Sequence, residues 1–129
     1  MVDFPKTFTE RGRRQLKSGG WNKAIGSAGE DLACRYLAEK GYEILERSFR
    51  CRSGEIDVIA MKNGEMAFVE VKTRTGRVFG YPADAVDHTK LTRMKKCAEY
   101  YLMMTERICD SVRLDVIEVE IRHIQRVYR

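Results

Sequence analysis

The chain has 129 residues, of which 33% are charged and 43% hydrophobic, a balance that suits one soluble globular domain with its own core. No apolar run approaches the length of a membrane span and no secretory signal is visible, so we exclude a membrane protein and expect a cytoplasmic one. The net charge of +5 favours an anionic partner, with nucleic acid the first candidate.

The N-terminal segment differs in composition from the rest of the chain. Residues 1–23 carry six basic residues against two acidic ones, and so hold most of the net positive charge. The segment also contains Pro5 and the Ser18-Gly19-Gly20 run and lacks helical periodicity. We therefore predict a flexible basic tail over residues 1–22 and a folded domain over 23–129. The tail either contacts phosphates or is a solvated segment without that role.

Two segments have the periodicity of amphipathic helices. The first helix is predicted over residues 23–40, where Lys40 and Gly41 form a typical C-terminal stop. Its apolar stripe consists of Ile25, Ala28, Leu32 and Tyr36, widened by Gly29, Ala33 and Leu37. The second helix is predicted over residues 88–106, with Asp87 as its N-cap. Its apolar stripe consists of Leu91, Met94, Ala98, Tyr101 and Leu102.

Strand-like runs lie between and after these helices, over residues 42–50, 54–61, 65–74 and 111–121. Asn63-Gly64, between the second and third runs, is the strongest short-range signal of a β-hairpin with a two-residue type I′ turn. The apolar residues of the last strand switch from even to odd positions between Val116 and Ile117, which predicts a β-bulge. The element order αβββαβ predicts an α/β fold in which helices flank one mixed β-sheet.

The cysteines and histidines give no sign of a metal or disulfide framework. The four cysteines (Cys34, Cys51, Cys97 and Cys109) show no CxxC pairing and no metal-ligand spacing. We therefore predict that they are reduced thiols. The histidines, His88 and His123, do not lie in a ligand-like cluster.

The hairpin turn sets the register of the second and third strands. If Asn63-Gly64 is a two-residue turn, Lys62 opposes Glu65, and one sheet face is formed by the opposed pairs Met61–Met66, Ile59–Phe68, Asp57–Glu70 and Glu55–Lys72. That face is apolar near the turn, where a helix can cover it, and charged at the open end of the hairpin. A slip of one residue would separate these groups onto opposite faces.

Asp57 and Glu70 would then be like charges in directly opposed positions, which destabilises a sheet unless a cation joins them. A hard divalent ion such as Mg²⁺ suits two carboxylates, and Lys72 lies one pleat further along the same face. A metal ion at this position neutralises a phosphate and lowers the pKa of a bound water, so the group predicts phosphodiester hydrolysis. The alternative is an ordinary solvated strand face with cross-strand charges.

Several segments resemble the YraN family of predicted bacterial nucleases. They are "GSAGEDLACRYLAEKGYEIL", "GEIDVIA", "FVEVKTR" and "FGYPADAV", and the resemblance covers roughly residues 24–121. That family is assigned to the restriction-endonuclease-like PD-(D/E)xK superfamily, alongside archaeal Holliday-junction resolvases. The resemblance implies a restriction-endonuclease-like mixed sheet flanked by helices.

The resemblance also implies roles for individual residues. Asp57, preceded by Ile56 where the superfamily pattern has Pro, is the metal-binding acid, and Glu70 and Lys72 supply the (D/E)xK element. Glu30 on the first helix matches a frequent extra acidic ligand, so the implied metal set is Glu30, Asp57 and Glu70, with Mg²⁺ or Mn²⁺ as the ion. A surface glutamate beside an aspartate is the alternative for Glu30. Asp84 matches a usually acidic loop position.

A set of basic residues follows the motif and is a candidate for nucleic-acid binding. The set comprises Arg74, Arg77, Lys90, Arg93 and Lys96. The last three are spaced by three residues, so they share a side of the second helix and could track a phosphate backbone. A solvated helix face is the alternative.

We therefore predict a metal-dependent endonuclease that acts on DNA, with branched or junction DNA among the candidate substrates. The alternatives are a module of the same fold that binds nucleic acid without cleaving it, or one that binds another protein in DNA processing. The pattern leaves open whether the chain forms a homodimer.

Overall fold

The chain forms two helices and four strands within the residues that the structure, a computed structural model, describes, namely 19–75 and 87–128, with side chains from residue 23. The elements are α1 (Gly19–Glu39), β1 (Glu43–Cys51), β2 (Gly54–Lys62), β3 (Glu65–Thr75), α2 (His88–Thr105) and β4 (Ser111–Ile121). The predicted order αβββαβ is confirmed. The predicted tail lies outside the described residues up to residue 18, and α1 begins at Gly19, ahead of its predicted start.

The strands form one mixed sheet in the order β1-β2-β3-β4. Neighbouring strands are antiparallel from β1 to β3, whereas β3 and β4 are parallel. A parallel pair needs a long crossover connection, and α2 lies in that connection. Across the described part of the chain, no helix combines the length and apolar character needed to cross a bilayer.

The two helices cover opposite faces of the sheet, because buried residues of β2 and β3 alternate between two apolar clusters. The α2-side cluster comprises Phe49, Ile56, Ile59, Met66, Phe68, Cys97, Ala98 and Tyr101. The α1-side cluster comprises Leu37, Val58, Ala60, Ala67 and Val69. Burial of both faces explains why these strands are almost continuously apolar near the hairpin turn.

The hairpin turn has the predicted type I′ character. Asn63 and Gly64 both have positive φ, at 50° and 78°. A Cβ at Gly64 would also lie 2.3 Å from Asp110 Oδ2, so the Asp110 side chain would have to move. The predicted N-cap of α2 is confirmed as well, because the Asp87 carboxylate accepts a hydrogen bond from Lys90 N at 2.8 Å.

The predicted bulge in β4 is wrong. β3 and β4 pair without interruption from Glu65–Ser111 to Thr75–Ile121. The apolar residues switch from even to odd positions along β4 because its two halves bury side chains on opposite faces of the sheet. Leu114 packs against the α2-side cluster, whereas Ile117 packs against the α1-side cluster. The register shift in the sheet lies instead in β1, between Ile44 and Glu46.

The buried stripe of α1 is narrower than predicted and is centred on its small residues. Ala33 and Leu37 are buried, and Gly29 continues the stripe toward the N-terminus. Leu32 and Tyr36, predicted in the stripe, are 54% and 51% exposed. The cause is a close approach of α1 to β3, since a Cβ at Gly29 would lie 1.9 Å from Thr73 Oγ1.

This close approach predicts opposite effects for two substitutions in α1. Gly29→Ala should lower stability by about 1–2 kcal/mol, since overpacking costs about 1–3 kcal/mol and helix propensity returns up to about 1 kcal/mol. Gly26→Ala is the matched control, because a Cβ there meets no atom within 4 Å, and it should stabilise by about 0.5–1 kcal/mol. Urea unfolding of both variants measures the difference, and equal effects would contradict the close packing of α1 on β3.

Candidate active site

The register of the β2–β3 hairpin agrees with the prediction near the turn and departs from it at the open end. The observed ladder begins with Lys62–Glu65 and ends with Val58–Val69. The predicted pairs Asp57–Glu70 and Glu55–Lys72 do not form. The predicted register therefore holds as far as Val58–Val69 and does not continue into the charged end.

The departure begins at Asp57, where the alternation of side chains along β2 is broken. Ile56 and Ile59 both belong to the α2-side cluster, although residues three apart on a regular strand face opposite sides. Asp57 Oδ2 instead accepts a hydrogen bond from Val71 N at 2.7 Å. A side chain thus replaces the backbone ladder at the point where β2 and β3 part, and β3 continues beside β4 alone.

Three carboxylates meet where the strands part. Asp57 lines one cleft with Glu70 on β3 and Glu30 on α1, and its negative charge acts on both carboxyl groups. Burial, together with the charge and proximity of Asp57, raises the pKa of Glu30 to about 7. Burial also raises the pKa of Glu70, which is only 6% exposed, while the contact with Lys90 opposes that rise. The sequence-predicted acids Glu30, Asp57 and Glu70 are therefore brought together.

A cleft on the α1 side of the sheet end exposes this group of acids to solvent. Its lining includes Glu30, Asp57, Glu70 and Lys72. Lys72 is exposed, so its ammonium group is available to a molecule that enters the cleft. All four residues that the sequence assigned to catalysis or metal binding therefore line one cleft, although they reach it from α1, β2 and β3 rather than from one sheet face.

Lys90 was predicted to contact nucleic acid, but here it forms an ion pair with Glu70 across the α2 side of the sheet end. The Lys90 side chain is 41% exposed and that of Glu70 only 8%. The two residues line a second cleft with Asp57 and Arg93, so Asp57 and Glu70 separate the two clefts. A positive charge in the first turn of a helix opposes the helix dipole, and this signal could have indicated that Lys90 pairs with an acid elsewhere.

The acids do not form a preassembled metal site. Among residues 19–75 and 87–128, no three acidic, histidine or cysteine side chains stand at metal-binding spacing. Lys90 holds the Glu70 carboxylate, and Val71 N holds one oxygen of Asp57. The donor chemistry nevertheless fits a hard divalent cation, because three oxygen donors crowd together with their mutual repulsion only partly offset. A metal ion that binds the Glu70 oxygen held by Lys90 would displace the lysine.

The other predicted nucleic-acid contacts have different environments. Arg74 is 15% exposed, and its Nε lies 2.5 Å from Glu118 Oε1 as a charge contact rather than an aligned hydrogen bond. It is therefore a cross-strand partner within the sheet and not a surface group. Arg93 and Lys96 are exposed on α2. Arg77, like Asp84, lies outside the described residues.

Comparison with known proteins places the chain among bacterial relatives. Residues 29–119 match the model of a family described as "Uncharacterised protein family UPF0102". A UPF0102 protein of Caldanaerobacter subterraneus is 46% identical over 97 residues, covering 75% of this chain and 80% of the relative. UPF0102 proteins of Rhodococcus opacus and Alkaliphilus oremlandii are 46% and 44% identical, covering 79% and 84% of this chain and 86% and 92% of the relatives.

Proposed function

The chain belongs to the uncharacterised protein family UPF0102, and we propose that its carboxylate group serves metal-dependent hydrolysis of phosphodiester bonds in DNA. One observation carries the proposal: Asp57, Glu70, Glu30 and Lys72 line one cleft at the parting of β2 and β3. A fold needs no such concentration of like charge. The resemblance of "GEIDVIA" and "FVEVKTR" to the YraN family and the PD-(D/E)xK superfamily supports the same reaction.

Each residue has a role that follows from its position. Asp57 and Glu70 would hold the metal ion, and Glu30 would complete the set from α1. A bound Mg²⁺ or Mn²⁺ supplies neutralisation of the phosphate charge and a lowered pKa for the attacking water. Lys72, exposed at the cleft, orients that water and stabilises the negative charge that develops on the phosphate. The hydrogen bond from Val71 N fixes one Asp57 oxygen, and the other would be the one available to an ion.

The surrounding charge suits a polyanionic substrate. Arg93 and Lys96 are exposed on α2, and Arg93 lines the cleft that contains Asp57 and Glu70. Such contacts with phosphates give affinity without reading sequence, and they weaken as salt is added. We infer that the substrate is held by its backbone, which is compatible with recognition of DNA shape, including branched DNA.

A cleavage assay on a panel of linear, nicked, flapped and four-way-junction DNAs tests the proposal. We expect products in Mg²⁺ or Mn²⁺ and none in EDTA. Salt-sensitive binding of DNA without cleavage of any substrate in either metal would favour the non-catalytic binding module. If the protein neither binds nor cleaves any DNA of the panel, the assignment to DNA is overturned. The same panel made of RNA then tests the other nucleic acid.

Substitution of Lys72 separates its role from metal binding. Lys72→Met should lower the cleavage rate by about a hundred-fold, because it removes the positive charge beside the reacting phosphate. It should leave the Mn²⁺-dependent rise in melting temperature in place, since Lys72 holds no metal. Lys72→Arg keeps the charge but not a readily exchanged proton, so partial activity identifies charge stabilisation as the role. Wild-type cleavage by Lys72→Met would remove Lys72 from the site.

A further inference from the structure

Two cysteines that the proposed reaction does not use lie in contact across the core. Cys51 is the last residue of β1, and Cys97 lies in α2, 46 positions along the chain. Their Sγ atoms are 2.8 Å apart. Cys97 is fully buried in the α2-side cluster, whereas Cys51 is partly exposed. Cys51 is therefore partly open to solvent, whereas Cys97 is enclosed by the core.

We propose that Cys51 and Cys97 form a thiol–disulfide exchange site, at which low-molecular-weight disulfides convert the two thiols into an intramolecular disulfide that joins β1 to α2. All four cysteines are free thiols in the structure. The proposal adds that this pair is oxidised when the surroundings become oxidising. It requires neither a metal ion nor DNA, so it does not rest on the proposed function.

The exchange proceeds in two displacements that conserve atoms and electrons. The Cys51 thiolate attacks one sulfur of a small disulfide R–S–S–R, whose S–S bond breaks and releases one thiolate. The Cys97 thiol then loses its proton and attacks Cys51 Sγ, which forms the protein disulfide and releases the second thiolate. The two cysteines together lose two electrons, and the small disulfide gains them as two thiols.

The surroundings of the two sulfur atoms suit these unequal roles. Burial acts to raise the pKa of Cys51, but hydrogen bonding with Cys97, Ser53 and the backbone at Gly54 outweighs it and lowers the pKa. Burial and the neighbouring Cys51 raise the pKa of Cys97 to about 12. Cys51 is thus the exposed, more readily ionised nucleophile, and Cys97 is the resolving thiol.

The position of the two cysteines in the fold favours formation of the disulfide between them over other products of oxidation. Cys97 Sγ lies 3.6 Å from Gly54 O, at the turn between β1 and β2, so α2 already packs on this turn. The remaining cysteines provide matched controls. Cys34 packs beside the α1-side cluster, on the opposite face of the sheet, and Cys109 packs beside the α2-side cluster.

The test exposes the full chain to a series of reduced and oxidised glutathione mixtures, followed by acid quenching, alkylation with N-ethylmaleimide and peptide mass mapping. We expect two thiols per chain to resist alkylation, with no glutathione retained on the protein. Peptide mapping should show a peptide linked through Cys51 and Cys97, and the melting temperature should rise by roughly 10 °C. The Cys34→Ser/Cys109→Ser variant should behave like the wild type. Cys97→Ser should instead retain glutathione on Cys51.

Three results would overturn the proposal. The first is full alkylation of Cys51 and Cys97 at every glutathione ratio. The second is a wild-type chain that keeps glutathione on Cys51, which would show that Cys97 does not resolve the mixed disulfide. The third is a link through Cys34 or Cys109 or between two chains. Each is read on the wild-type protein, so none depends on the folding of a variant.

Discussion

Asp57→Asn should lower metal-dependent DNA cleavage by at least about a hundred-fold while DNA binding largely survives. Asparagine keeps the shape of the side chain, and its carbonyl oxygen can still accept the hydrogen bond from Val71 N that holds the strand ends. The substitution therefore removes one negative charge and one anionic ligand without opening the hairpin. The DNA contacts proposed for Arg93 and Lys96 should be unchanged. Initial cleavage rates and binding titrations at one fixed salt concentration measure the two effects.

The melting temperature reports metal binding separately from cleavage. Mn²⁺ should raise the melting temperature of the wild type, because a ligand that binds the folded state stabilises it, and Asp57→Asn should reduce that rise. In EDTA the variant should be as stable as the wild type or slightly more so, since it relieves repulsion among three carboxylates. Asp110→Asn, an exposed change beside the hairpin turn, is the matched control. A cleaving Asp57→Asn variant would refute the assigned role.

The sequence contained enough information to predict the hairpin and its acids. Asn63-Gly64 fixes the turn type, and the turn fixes the register as far as Val58–Val69. The break at Asp57 could not be predicted, because it depends on Ile56 turning toward the α2-side cluster, which is a tertiary packing effect. A prediction from alternating side chains assumes a regular strand, and a local break moves every side chain beyond it to the other face of the sheet.

Helix faces and long-range pairs were harder to predict for a related reason. The apolar stripe of α1 was assigned to its larger residues, yet the helix approaches β3 through Gly29, and Leu32 is left exposed. Hydrophobicity favours the larger side chains, whereas close packing favours the smallest one. The Lys90–Glu70 pair joins residues on separate elements, and no local spacing relates them. The contact of Cys51 with Cys97 also arises only in three dimensions.

The Lys90–Glu70 pair gives the acids a cation in the absence of metal. Glu70 is nearly buried, and a carboxylate in that environment is costly unless it is paired. Lys90 supplies the pairing charge from a side chain that stays partly in solvent. A divalent ion would compete for the same carboxylate, and a displaced Lys90 would then be available to a DNA phosphate beside Arg93. The predicted phosphate contact would then be a metal-bound state of the side chain that forms the ion pair with Glu70 in this structure.

Lys90→Met should therefore destabilise the metal-free protein and strengthen its response to metal. In EDTA, loss of the ammonium group leaves Glu70 buried without its partner, at a cost of about 1–3 kcal/mol, or roughly 5–10 °C in melting temperature. The cost is below that of a fully buried pair because Lys90 is partly exposed. Mn²⁺ no longer competes with the lysine, so its apparent affinity should rise by about ten-fold if the pair contributes about 1.4 kcal/mol.

Mn²⁺ titrations followed by melting temperature measure both effects of Lys90→Met at once. Lys90→Arg keeps a positive charge opposite Glu70 and should resemble the wild type, whereas Lys96→Met removes an exposed charge from the same helix and should change neither quantity. If the ion pair were purely structural, its loss in Lys90→Met would lower stability equally with and without metal. A Lys90→Met variant that loses the same stability in EDTA and in Mn²⁺ would therefore show that Lys90 and the metal do not share Glu70.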